Sequence, residues 1–455
     1  MARKQRVGSG AGSGATGGGA VGVKDFLEDF LSVPGARATL PVSSALEPFK
    51  RDFVTDARSH FNNFHFQLGG DHTLYYLLNL PEFMQTAMSM PNSEYRPIER
   101  AHNQAVADML VNTESEGPLP FTDYVIHPRF RHQGVMMVHR GKVIFEAFPG
   151  MAETDVHFWA SAAKTTVGLL AALLVLEGKI EPNLPITRYV PELGRCAWDQ
   201  ISVLNVMNHT TGLQTEEGLE TILNPNSEIV AFFSAAFGVP NPGSGESESV
   251  VEVLRRFAPI EGEGPGDTVR YSAVNTHVMT LMIESVEGQP WASVFEERVW
   301  GHLGARMPAM FSLDPDGVAM PFGLMSSTLE DMARYGMLFT PSASMVSEKA
   351  IVSDEVLQLI YKSGNRRAFD GSSKDLRGRI LFGEPAVALS YQFDWVFEDG
   401  ALAKNGSLNQ FLYLDPQRDF VGVAFSTTPY VEGYGETKLP EVFRTAAKIL
   451  DGETY

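Results

Sequence analysis

His157-Phe158-Trp159-Ala160-Ser161-Ala162-Ala163-Lys164-Thr165-Thr166 leads into an apolar run, Val167 to Leu176, that reads as a buried helix. Ser161 and Lys164 stand three residues apart, an S-x-x-K pattern. One helical turn separates them, so hydroxyl and amine project from the same face. A serine hydroxyl is a poor nucleophile at neutral pH until a base takes its proton. A lysine can be that base when desolvation and positive neighbours lower its pKa. The helix N-terminus adds free backbone N–H groups and a positive dipole end, which suit an oxyanion and disfavour an ammonium. Alone, the pattern equally describes a helix whose first turn carries a solvated lysine.

Two further elements give it meaning. Tyr271-Ser272-Ala273 follows the turn-rich stretch Gly262 to Asp267. A tyrosine on a loop entering a cleft can relay a proton if cations stabilise its phenolate. On the plainer reading Ser272 caps a helix from Val274 to Glu287. Lys404-Asn405-Gly406-Ser407 runs straight into a strand, Phe411 to Leu414. Lys404 would raise the local potential, Gly406 would let a substrate lie against the strand edge, and the Ser407 N–H could be half of an oxyanion hole. By itself this third element is a turn.

Order and company make the three a set. S-x-x-K with a later K-x-G marks the penicillin-binding-protein and β-lactamase group, and with a tyrosine between them the chain resembles the class C β-lactamase-like serine hydrolases. Asn208-His209-Thr210-Thr211-Gly212-Leu213, the stretch Gly288 to Gly304 and the helix-like Gly323 to Gly336 resemble further segments of that family. The resemblance covers about 125 to 450. Leu77 to Ala87 is similar to its carboxylesterase and 6-aminohexanoate-dimer hydrolase branch. It implies an α/β (α+β) fold: an antiparallel sheet flanked by helices, with a mostly helical subdomain at about 180–345. It also implies Ser161 as nucleophile, Lys164 and Tyr271 as the proton-transfer pair, and Lys404, Asn405, Gly406 and Ser407 as the oxyanion and substrate edge. No cofactor and no metal are implied, and the partner is a small-molecule acyl substrate. Two departures matter. Ala273 stands where an asparagine commonly contacts an acylamino group, and Asn405 where the lactamases carry threonine or serine. The reading is therefore a carboxylesterase. An amidase or D-aminopeptidase, a β-lactamase, an acyltransferase and a non-enzymatic scaffold are its alternatives.

Hydrophobic patterning supports the sheet. Val135–Val138 and Val143–Phe145 flank His139-Arg140-Gly141-Lys142, a hairpin signal. Phe411–Leu414 and Phe420–Phe425 flank Asp415–Asp419, and a helical segment, Pro440 to Leu450, closes the chain. Hairpins near both ends predict one sheet built from both termini. Residues 1–23 read as a flexible Gly-rich tail, 24–118 as an extension packed on the core, and 119–455 as the hydrolase domain.

A net charge of −19 and a pI near 5.0 oppose nucleic-acid or anionic-membrane partners. The single cysteine, Cys196, forms no disulfide framework. The basic start lacks the apolar core of a secretory signal, so a cytoplasmic protein is expected. His60, His65 and His72 fit no H-E-x-x-H or comparable spacing, so a metal is not expected there. His209, Phe158, Trp159, Asp331 and Arg334 read as structural.

Overall fold

The computed structural model describes residues 31–429 and 436–452, so the Gly-rich tail lies outside the described residues. Its centre is an eight-stranded sheet. In chain order the strands are β1 (Glu99–Arg100), β2 (His132–His139), β3 (Lys142–Ala147), β4 (Ala388–Ser390), β5 (Phe393–Val396), β6 (Leu402–Asn405), β7 (Phe411–Asp415) and β8 (Phe420–Ser426). Spatial order is β4-β5-β6-β7-β8-β2-β3-β1. All pairs are antiparallel except the short β1 on β3. Both expected hairpins form. The first turns at Arg140 (φ 48°) and Gly141 (φ 74°), two left-handed residues whose twist matches the flanking strands. The two hairpins then join, with Val423 opposite Met136 and Val421 opposite Val138. The start and the end of the chain thus share one sheet, as the pattern predicted.

Alternate residues of these strands face two different cores. Met136, Val138, Leu412, Leu414, Val421 and Val423 belong to one cluster. Val135, Met137, Phe411, Tyr413 and Ala424 belong to the other. With both faces covered, the central strands are buried along nearly their whole length, β8 at every residue and β2 at all but His139. On the first face lie helices α1 (Lys164–Leu176), α2 (Ala273–Glu287) and α3 (Leu329–Met337). On the second lie the helix Phe121–Ile126 and the closing helices α4 (Ser373–Phe382) and α5 (Leu439–Leu450). The stretch Pro240 to Glu246 is the surface loop that its composition implies.

Between α1 and β4 the chain is mostly helix and loop, but two strands lie inside it, Ala309–Ser312 and Met325–Ser327. They form a second, four-stranded sheet with Thr86–Ser89 and His157–Phe158. The residues before 118 therefore contribute a strand to the layer that leads into Ser161. Patterning missed this sheet because its strands are two to four residues long, too short for a period to show.

Gly168 fixes how α1 sits on the sheet. A Cβ there would lie 1.9 Å from the Tyr391 carbonyl oxygen, at the turn between β4 and β5. Alanine favours a helix over glycine by about 1 kcal/mol, but here it meets backbone that cannot move aside. Gly168→Ala is expected to destabilise the fold by about 1–3 kcal/mol. Urea denaturation measures this, and a more stable variant would mean that the helix packs less tightly than described.

Candidate active site

Ser161 lies on a tight 3-10 turn, Ala160–Ala163, immediately before α1. Ala160 adopts a left-handed backbone (φ 47°), a conformation costing an alanine about 1–3 kcal/mol. Gly406, at the end of β6, makes room for that turn. A Cβ on Gly406 would lie 2.6 Å from the Ala160 Cβ and 2.9 Å from the Ser161 nitrogen. Glycine at 406 is thus required by close approach of two backbones, not by its own φ of −114°. The Gly406 N–H is already spent on the Gln410 carbonyl at 2.7 Å, so it is not available to an oxyanion.

Lys164 opens α1 and is fully buried. Its Nζ donates to Ser161 Oγ at 3.1 Å and to the Phe322 carbonyl. Burial is the main influence on its pKa. The nearby charges of Glu217 and Asp394 oppose burial, Lys374 reinforces it, and the result lies at about 8. A fraction of neutral amine is therefore present near neutral pH, within reach of the serine hydroxyl.

Tyr271 immediately precedes Ser272, which caps α2 by accepting from the Val274 N–H at 3.1 Å. The helix that the plainer reading predicted exists, and it carries the tyrosine into the cleft as well. Three lysine side chains surround its ring. From the ring centre, Lys374 Nζ lies 3.7 Å away, Lys404 Nζ 4.4 Å and Lys164 Nζ 5.1 Å. Positive charge in this arrangement stabilises negative charge as it develops on the phenol oxygen.

Two residues of this set were missed in the sequence, Asp394 and Lys374. Asp394 sits in β5, one step along the register from the Trp395–Ala403 pair, which puts it opposite Lys404 on β6. Its carboxylate accepts from Lys404 Nζ at 2.6 Å and from Lys374 Nζ at 2.8 Å. Burial pushes its pKa up, but the two ammonium groups outweigh that and hold it at about 2. Burial pushes both lysines down, opposed by the Asp394 charge. A signal was present. Asp394 is the one charge in the apolar run Tyr391 to Phe397, and a charge in a buried strand needs a partner.

The cleft beside Ser161 has a volume of about 400 Å³ and is lined by Glu217, Tyr271, Lys374, Asn405, Gly406 and Ser407, among others. Lys404 lies beneath it, paired with Asp394, rather than on its wall. A smaller recess of about 50 Å³ opens on the other side of Ser161. Its walls include Phe66, Phe158, Phe233, Phe237, Phe322 and Leu324. Phe158 thus lines a recess next to the serine, where the sequence reading gave it only a packing role. Trp159 is structural, its indole N–H donating to Ser327 Oγ at 2.8 Å. Arg334 and Asp331 form a fully buried pair. His209 is closer to the chemistry than expected. It is fully buried and its ring centre lies 5.1 Å from that of Tyr271. Its Nδ1 accepts the Ser272 N–H at 3.3 Å. Burial first, then Lys404 and Lys164, keep it neutral, so it orients the tyrosine loop rather than exchanging protons. No His/Cys/Asp/Glu grouping of metal-ligand geometry occurs in the cleft among the described residues.

Removing the carboxylate tests the charge arrangement. Asp394→Asn leaves two buried ammonium groups without an anion, at an expected cost of about 3–5 kcal/mol. Part of that loss should be recovered at high pH, where the lysines discharge. Thermal unfolding between pH 7 and pH 10 measures both effects, and a stability equal to wild type at pH 7 would mean that Asp394 is not their counter-ion.

Known proteins resemble this chain in sequence or fold to different degrees. A 6-aminohexanoate-dimer hydrolase of Paenarthrobacter ureafaciens is 27% identical over 298 residues, covering 64% of this chain and 72% of that one. Esterase EstB of Burkholderia gladioli is 26% identical over 184 residues, 39% of this chain and 44% of its own. In fold, a Bacillus anthracis structure assigned as a 6-aminohexanoate-dimer hydrolase superposes with a TM-score of 0.65 at 19% identity, covering 84% of this chain and 96% of that one. The profile of the beta-lactamase family matches residues 130–447. That match spans both halves of the sheet and everything folded between them, and the chain belongs to the beta-lactamase family.

Proposed function

We propose that this protein is a serine hydrolase that cleaves esters of short apolar acids through an acyl-enzyme on Ser161. The observation that carries the reading is the pairing of Ser161 with a buried, partly neutral Lys164 at 3.1 Å. Lys164 takes the hydroxyl proton as Ser161 attacks the carbonyl. The developing oxyanion is held by the backbone N–H groups of Ser161 and Ser407. Tyr271, among its three lysines, passes a proton to the leaving alkoxide. It then takes one from the water that attacks the acyl-enzyme, and Lys164 returns its proton to Ser161 Oγ as the acid leaves. The acyl chain enters the phenylalanine-lined recess, where each buried methylene is worth about 0.8 kcal/mol. The leaving group occupies the larger polar cleft. Ala273 offers no amide side chain, and its N–H is bound by the Glu217 carboxylate. That counts against acylamino recognition and hence against β-lactams. A cytoplasmic location is part of the same proposal.

An amidase is the second reading. Its support is the 27% identity to the 6-aminohexanoate-dimer hydrolase, since a dimer of an amino acid is joined by an amide.

Ser161→Ala should abolish both fluorophosphonate labelling and hydrolysis, by several orders of magnitude, with the fold intact. Because the base must be neutral, kcat/KM should rise with pH through about 8 and level off above it. A rate flat across pH 7–9 would remove Lys164 as the base. Specificity constants for p-nitrophenyl acetate and butyrate, the matching anilides and nitrocefin rank the readings. Ester first supports the proposal, anilide first the amidase, and nitrocefin first a lactamase. Phe237→Ala should enlarge the recess and move the preference towards longer acyl chains by tenfold or more. An unchanged preference would place the acyl group elsewhere.

A further inference from the structure

Asp56, His60 and His72 come together in the segment ahead of the hydrolase core. Asp56 and His60 are one helical turn apart on the helix Arg51–His60, and His72 is in the first turn of the helix Asp71–Leu78. One donor atom from each residue lies within 4.8 Å of the other two. The His72 Nε2 to Asp56 Oδ2 distance is 3.1 Å, and His60 Nδ1 to Asp56 Oδ1 is 3.4 Å. Two ligands on a tetrahedral zinc, with bonds of about 2.0–2.1 Å, stand roughly 3.4 Å apart. The two histidine–carboxylate distances already match this spacing, His60 Nδ1 has to leave the Asp56 carbonyl that it contacts at 2.9 Å, and Asp56 and His60 are exposed enough to move.

A second observation points the same way. His65 meets the same group edge to face, its ring centre 5.5 Å from that of His72 and 6.2 Å from that of His60. Its Nδ1 donates to the His60 carbonyl at 2.8 Å, which fixes the tautomer and leaves Nε2 with a lone pair. This is the carbonyl-oriented imidazole found behind metal-bound histidines. The Nε2 of His65 is buried with no hydrogen-bond partner among the described residues. Such orphaned nitrogens cost about 1–3 kcal/mol each unless something else satisfies them. A hydrogen-bonded Asp–His pair explains Asp56 and His72 alone. It does not explain a second imidazole, His60, on the same carboxylate and a third, His65, beside them with a nitrogen left over.

We propose that Asp56, His60 and His72 bind a divalent transition cation of the zinc class, with water completing the shell. Two imidazoles and a carboxylate suit zinc, cobalt and nickel rather than magnesium or calcium. The site has a structural consequence. Its ligands bracket residues 61–70, and that loop carries Phe66 and Gln67, which wall the recess behind Ser161. A cation here clips the two ends of the loop together and holds one wall of the recess.

Cobalt(II) and zinc(II) titrations of the tag-free, chelator-treated chain test the site. One equivalent is expected to bind with a Kd of micromolar or tighter, with a tetrahedral cobalt absorption band and a rise in Tm. Asp56→Asn and His60→Ala are both at or near the surface and should leave the fold intact. Each should weaken binding at least tenfold and abolish the Tm rise. Their Ser161 labelling by fluorophosphonate reports separately on the hydrolase, so failure of one reading does not touch the other. Wild-type chain that takes up no cation, or variants that bind as wild type does, would overturn the proposal.

Discussion

A single carboxylate, that of Asp394, is buried between two ammonium groups, and the arrangement of the cleft depends on it. Burying an ion is costly, and mutual attraction offsets that only where geometry is good and the remaining polar atoms are satisfied. Here one oxygen faces Lys404 across the strand pair and the other meets Lys374 from the start of α4. The triad ties two strands and a helix into one unit. It also stations two cations against the Tyr271 ring, so that the electrostatic setting of the tyrosine is a property of the sheet itself.

The three central lysines are therefore not equivalent. Lys374 and Lys404 hydrogen-bond to a carboxylate, whereas Lys164 hydrogen-bonds to a hydroxyl and a carbonyl, neither of them charged. Burial acts on all three. Only Lys164 meets it without an anion in hydrogen-bonding contact, and its pKa settles at about 8. One residue type thus supplies both a hydrogen-bond partner for the serine and the two partners of a buried carboxylate, distinguished by its immediate neighbours. This is the usual way a fold assigns different protonation roles to chemically identical groups.

Close backbone approach is the second constraint. The turn bearing Ser161 and the end of β6 meet at Gly406 with no space for a side chain, and Ala160 accepts a left-handed conformation to allow it. Strain of this kind survives only when the surroundings over-determine it. The surroundings here are the second sheet, in which Phe158 pairs with Ser326, and the N-terminal segment whose Phe66 ring packs on Phe158 and Phe237. Residues from before the core thus shape the space directly behind the serine.

The sequence alone determined the hairpins at 132–147 and 411–426, the capped helix after Tyr271 and the three motif elements. Each is written locally, in period-two alternation, in turn residues with forced dihedrals, or in a spacing of three. The family resemblance added that the elements share one cleft. Tertiary structure alone decided the rest. Asp394 meets Lys404 only through the register of β5 on β6, and Lys374, twenty residues before Asp394, only because α4 packs against that strand. The second sheet is built from strands too short to carry a period. The recess takes its walls from residues near 66, 158, 235 and 322. His60, His65 and His72 have no motif spacing and meet because two helices pack. In each case the decisive contact is long-range, so its geometry is set by packing that no local pattern encodes.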